Sequence, residues 1–154
     1  MKKTITLSLL FCLALTTSIS AQTKKTQKER FQATYNASKA LVKSNDFQYV
    51  GNYVFNNKKR EKLEADSSTL KIDKNKINGQ LTSLSTSNLS IVNINDTIKD
   101  YSASFNDEKQ TITISFKAGG SQIYISIKPN GNTFLTLSNG LSKNITQVGK
   151  ISKG

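Results

Sequence analysis

The chain contains no histidine and no tryptophan, and only one cysteine, one proline and one methionine in 154 residues. Each absence closes a route. Without imidazole there is no Ser-His or Cys-His pairing, no commonest general base, and little with which to build a zinc site. The single cysteine, Cys12, cannot close a disulfide within the chain and sits in an N-terminal apolar run. Acid is scarce as well: 22 Lys and Arg face 10 Asp and Glu, a net charge of +12. After the first 21 residues no apolar run comes close to the roughly 20 residues that a membrane-spanning helix needs.

What is present starts with a leader. Met1-Lys2-Lys3 is basic, Ile5 to Leu15 is apolar, and Thr16 to Ala21 is small and polar. That order predicts a secretory signal at residues 1–21, cut after Ala21, and not an anchor. Phe11 before Cys12, in mid-run, argues against a lipid-attachment cysteine. Cleavage removes Cys12, so the mature protein has neither thiol nor imidazole. It needs an ordinary hydrophobic core, for which its length suffices. The expected address is periplasmic or secreted.

Residues 22–30 hold no apolar side chain and are expected to form a flexible basic leader or the exposed start of a helix. Phe31, Tyr35, Ser38 and Val42 then recur at helical spacing, and Ser44-Asn45-Asp46 ends that pattern. From Phe47 the period becomes two. Phe47, Tyr49, Gly51, Tyr53 and Phe55 form one expected face of a first strand, which puts Tyr49 and Tyr53 together in a core or half-core setting. Further strands are expected at Ser68–Ile72, Lys76–Leu81, Ser90–Asn95 and Tyr101–Phe105, with a possible bulge at Gly79. Thr82 to Ser90 is hydroxyl-rich and reads as a loop or irregular edge. In the last third Ile112, Ile114 and Phe116, then Ile123, Ile125 and Ile127, alternate with polar residues. Gly119-Gly120, Asn130-Gly131 and Asn139-Gly140 mark turns. The expected fold is mainly β: a single domain over 31–154, an N-terminal helix followed by an antiparallel β-sandwich or partly closed barrel of about eight strands.

This layout resembles a family of small exported domains of unknown function found mainly in Bacteroidota. The leader carries the likeness, with the helix ending at Ala40-Leu41-Val42 and the entry Ser44-Asn45-Asp46-Phe47-Gln48-Tyr49. So do Leu70-Lys71-Ile72-Asp73 before a turn, the hairpin of Thr111–Phe116 and Tyr124–Ile127, and the closing Val148-Gly149-Lys150-Ile151. The likeness covers nearly the whole mature chain, on short motifs. Members carry a Leu-Pro-Tyr-type segment with a following glycine. Here Leu81–Leu89 has neither proline nor tyrosine, which puts any site in that segment in doubt. The resemblance brings no activity, so no residue inherits a role.

The motifs that could carry chemistry are weak. Glu64 with Asp66 could form a carboxylate pair of the glycosidase kind, though a solvated loop is the plainer reading. Ser68-x-x-Lys71 matches a serine–lysine pattern but falls in a strand. Asp73, Asn75 and Asn78 lack calcium-loop spacing, and Gly119-Gly120 has no helix or lysine after it to cradle a phosphate. No metal or cofactor is expected. Asp96-Thr97-Ile98 resembles the Asp-Ser/Thr-apolar site at which Bacteroidota O-glycosylate exported proteins, but six mature aspartates in a chain rich in serine and threonine make a chance match the better reading. The basic surface is dominated by lysine, 20 of the 22 cations. Phosphate and base readout favour arginine forks, so nucleic acid is not an expected partner. The expected function is therefore a non-enzymatic exported β-domain that binds an envelope component or a small ligand. That ligand would be apolar and held inside the sheet, or an anionic glycan met by the basic surface. The alternative is a carboxylate- or serine-dependent hydrolase.

Overall fold

The computed structural model describes residues 26–86, 88–139 and 144–154. The signal peptide expected at 1–21 lies outside the described residues, as does Gly140 of the Asn139-Gly140 turn. Helix α1 spans Gln27–Ser44. Thr26 caps it reciprocally: its hydroxyl accepts from the Glu29 amide, and the Glu29 carboxylate accepts from the Thr26 amide. Of the two readings of 22–30, the exposed start of a helix holds over 27–30, because this box satisfies the first free amides; residues 22–25 lie outside the described residues. Asn45, left-handed at φ 51°, ends the helix.

Ten strands follow: β1 Asp46–Phe55, β2 Arg60–Lys62, β3 Thr69–Asp73, β4 Lys76–Leu84, β5 Leu89–Thr97, β6 Lys99–Asn106, β7 Thr111–Ala118, β8 Ser121–Ile127, β9 Thr133–Ser138 and β10 Ile145–Ser152. All pair antiparallel in one sheet of order β5-β4-β3-β1-β10-β9-β8-β7-β6, with β2 on β1. Nine of them curl into a half-barrel. Of the two architectures the pattern allowed, the partly closed barrel is therefore correct and the two-sheet sandwich is not. The strands exceed the expected eight partly because β2, three residues long, is too short to show a period.

The concave side holds the core. Phe47, Tyr49, Leu70, Ile72, Ile112, Ile114, Phe116, Ile123 and Ile125 are fully buried there, each worth about 1.5–3 kcal/mol relative to exposure. Helix α1 packs on β1 and β10 and adds Tyr35 and Val42 to the same cluster. It is tied to the β6–β7 turn. The Tyr35 hydroxyl donates to the Asp107 carboxylate, which also pairs with Lys39. The Gln110 side-chain amide donates to the Lys28 carbonyl at 3.0 Å and to Gln32 at 2.8 Å.

Three expectations fail locally, each for a physical reason. The aromatic face of β1 is broken by a bulge between Gly51 and Tyr53. There β1 exchanges its neighbour: it pairs with β3 as far as Val50 and with β2 from Tyr53. Asn52 is the extra residue, and its carbonyl accepts from the Leu63 amide at 2.9 Å. The inserted residue reverses the parity. Phe47 and Tyr49 face the core, whereas Tyr53 and Phe55 face out, opposite Val148 and Thr146 of β10.

The hydroxyl-rich stretch from Thr82 to Ser90 is mostly strand, and Thr82, Ser83 and Leu84 are buried. β4 runs on after its pairing with β3 ends at Gln80. Two side chains stand in for the missing strand. Ser68 Oγ accepts from the Thr82 amide at 3.1 Å, and Gln147 Nε2 donates to the Thr82 carbonyl at 2.6 Å. Ser68 also donates to Gln147 Oε1 at 2.9 Å, closing a buried network. Beyond it Val54, Leu63 and Leu84 form a second, smaller core.

Gly79 marks no bulge, since its register with both neighbours is unbroken. Glycine is required for another reason: at φ 143° a side chain would land on the Thr69 carbonyl.

Candidate functional site

The neighbour exchange in β1 opens a cleft of about 690 Å³, lined by Val50, Asn52, Tyr53, Lys62, Leu63, Glu64 and Asp66 among others. The two acids singled out as a carboxylate pair thus border one cleft. They sit on a turn in which the Ser67 amide and hydroxyl both donate to the Glu64 carbonyl, at 3.2 and 2.8 Å. Asp66 is left-handed at φ 61°. The serine–lysine pattern does not converge. Ser68 is buried in the network with Gln147, while Lys71 is exposed on the other face of the strand. The Ser68 hydroxyl donates to Gln147 and accepts from the Thr82 amide, and the residue is fully buried.

A second cleft, about 540 Å³, lies where the β5–β6 joint meets the β7–β8 turn and is bordered by Asp96, Lys99, Lys117, Gly119 and Gly120. Gly119 and Gly120 are left-handed, at φ 56° and 72°, as a two-residue hairpin requires. The Gly119 amide donates to Asp96 Oδ2 at 2.6 Å, and the Thr97 amide donates to Oδ1 at 2.7 Å. These two backbone donors, with Lys99 adding charge, hold the Asp96 carboxyl below the usual range. Ile98, buried, donates its amide to the Asn75 carbonyl at 2.7 Å. Asp96-Thr97-Ile98 is therefore a staple between distant parts of the sheet, with Thr97 exposed.

The remaining perturbed acids are also tied into the frame. Asp100 lies below its ordinary range because Lys117 hydrogen-bonds to it, at 2.8 Å. Asp107 lies below it because Lys39 and then Tyr35 hydrogen-bond to it. Burial, and then the hydrogen bond to Asp107, push the Tyr35 phenol up from 10.0 to about 12. Among the described residues no three His, Cys, Asp or Glu side chains gather as a metal site, and no helix is long and apolar enough to cross a membrane.

One surface was invisible in the sequence. On the convex side Tyr124 is 50% and Phe134 42% exposed. Cross-strand pairing sets Phe134 beside Val148, and Val148 beside Tyr53. The Arg60 guanidinium covers the Tyr53 ring at 3.7 Å and approaches Phe55 at 5.6 Å. Lys128 stands over Phe134 at 5.8 Å. Only the pairing register, together with the bulge that turns Tyr53 outward, assembles these residues from β1, β2, β8 and β9.

The fold defines a class: small half-barrel β-domains with an N-terminal helix packed on the sheet. The chain belongs to the family described as a domain of unknown function, DUF4251, whose model matches residues 29–151. The fold is shared with the crystal structure of a DUF4251 family protein from Bacteroides eggerthii. The TM-score is 0.67 at 19% identity, over 79% of this chain and 88% of that one. No curated protein matches the chain.

Proposed function

We propose that this chain is an exported, non-enzymatic protein of the cell envelope, periplasmic or secreted, that binds a partner through its outer surface. The observation that carries this reading is the engagement of the side chains chemistry would use. Ser68, Asp96, Asp100 and Asp107 are each bound into the fold by named partners. A small apolar ligand inside the sheet is disfavoured, because Phe47, Tyr49 and Phe116 fill that side and are fully buried. The leader supports export. Intact-mass and fractionation measurements on the native protein test it: a chain beginning at Gln22 outside the cytoplasm is expected, and a cytoplasmic chain that keeps Met1 would refute it.

The alternative, a carboxylate-dependent hydrolase, draws on Glu64 and Asp66 bordering one cleft. It requires their carboxylates to stand about 5–10 Å apart across a scissile bond. Purified protein is assayed against chromogenic esters and glycosides. The binding reading expects no turnover. Turnover abolished by Glu64→Gln or Asp66→Asn would establish the hydrolase in its place.

A further inference from the structure

We propose that the convex face of β8, β9, β10 and β1 is a binding surface for an acidic polysaccharide, its sugar rings stacked on the exposed rings of Tyr124 and Phe134 and its carboxylates met by Lys128, Lys150 and the Arg60 guanidinium that caps Tyr53. The inference rests on the binding reading above and names the ligand class. Three observations carry it. The rings form a track. Tyr124 and Phe134 are diagonal neighbours across β8 and β9, about 7–8 Å apart. Phe134 and Tyr53 are two strands apart through Val148, roughly 10 Å, close to the length of a disaccharide. The exposed rings of Tyr124 and Phe134 present flat apolar faces that suit the C–H faces of sugars, while Tyr53 is the platform that holds Arg60.

The charge is one-sided. From Gln110 to Gly154 the chain has no acidic residue at all. Lys128 and Lys150 are exposed on this face, and Arg60 lies over Tyr53. Along β8, β9 and β10 an anionic chain therefore meets no acid, and Glu64 and Asp66 border only the cleft beside Tyr53, at the far end of the track.

The ground between the rings is hydroxylic. Ser115 of β7 is paired with Tyr124, Ser126 of β8 with Phe134, and Thr136 of β9 with Tyr124. Short hydroxyls exchange hydrogen bonds with sugar hydroxyls in either direction. The same field favours polysaccharide over single-stranded nucleic acid, as does the presence of a single arginine, Arg60, on this face, since backbone phosphates favour guanidinium forks.

Affinity electrophoresis and calorimetry with soluble polygalacturonate test the proposal, with dextran as a neutral polymer and oligo-dT as a nucleic acid. Wild-type protein is expected to bind polygalacturonate, more weakly as salt rises, and to prefer it to the other two. Tyr124→Ser with Phe134→Ser is expected to weaken binding about tenfold or more with the salt dependence kept. Lys128→Gln with Lys150→Gln should flatten that dependence. If the serine pair unfolds the sheet, Tyr124→Leu with Phe134→Leu keeps bulk and removes the rings. Binding unchanged by loss of the rings, stronger binding to oligo-dT, or no binding to polygalacturonate overturns the inference. Release of reducing ends from polygalacturonate by the wild type overturns instead the non-enzymatic reading beneath it.

Discussion

Replacing Gln147 by leucine should unfasten the end of β4. Gln147 is fully buried. Its amide donates to the Thr82 carbonyl at 2.6 Å and accepts from the Ser68 hydroxyl at 2.9 Å. Leucine is close in volume, and Gly51 leaves the side chain the space it needs, because a Cβ there would meet Gln147 Oε1. The loss is therefore electrostatic. The Thr82 carbonyl loses its Gln147 donor and the Ser68 hydroxyl its acceptor, each at about 1–3 kcal/mol. The expected total is about 2–6 kcal/mol, which lowers the thermal midpoint of a domain this size by roughly 7–20 °C. Ser68→Ala alone strands the Thr82 amide and Gln147 Oε1. The double variant has no Gln147 oxygen left to strand and no Ser68 hydroxyl, so two stranded groups disappear and its cost should fall short of the sum by about 2–6 kcal/mol. Calorimetry and urea unfolding of the four proteins measure both quantities. A Gln147→Leu midpoint unchanged from wild type, or strict additivity in the double variant, would refute the idea that these side chains replace a strand.

Other expectations concern the frame. Gly149→Ala would set a Cβ on the Val50 carbonyl, where β1 and β10 approach most closely; a loss of about 3 kcal/mol or more is expected in urea unfolding, and near-wild-type stability would contradict the close approach. Asp96, Asp100 and Asp107 all lie below the ordinary carboxylate range. A depressed folded value stabilises wherever the group is ionised, so the contribution is present above the ordinary value near 3.9 and drains away as pH falls below it. The triple asparagine variant should show a shallower acid slope than wild type, and equal slopes would show that these acids do not matter. Intact mass of native protein should equal that of the bare mature chain, because Asp96 is explained by the staple it forms; an excess removed by Thr97→Ala would show modification there.

Much of the fold was legible because it is local. Ile123, Ile125 and Ile127 alternate with exposed or half-exposed residues and are buried as a set. Asn130-Gly131 turns with Gly131 at φ 79°. What could not be read depends on partners far along the chain. Thr82 and Ser83 look like loop residues because serine and threonine compete with the backbone for hydrogen bonds. They lie in a strand because both pair with β5 and because Ser68 and Gln147, 14 and 65 residues away from Thr82, satisfy the Thr82 backbone on the other side. Tyr53 follows Tyr49 at strand spacing, and only the exchange of β3 for β2 reveals that the two face opposite ways. The convex track is hidden for the same reason, since its rings lie on separate strands and meet only through register.

The strand order also dictates when the molecule can become whole. β1 and β10, the first and last strands, are hydrogen-bonded neighbours at the middle of the sheet, while the two edges, β5 and β6, are consecutive in the chain and separated by Ile98 alone. A chain emerging from its N-terminus can assemble β5-β4-β3-β1 on one side and β9-β8-β7-β6 on the other, but these halves have no seam until Ile145 and the residues after it arrive. The final eight-residue strand thus acts as a closing key. Loop closure of this length is slow, so the two halves of the sheet stay apart through most of the chain's synthesis.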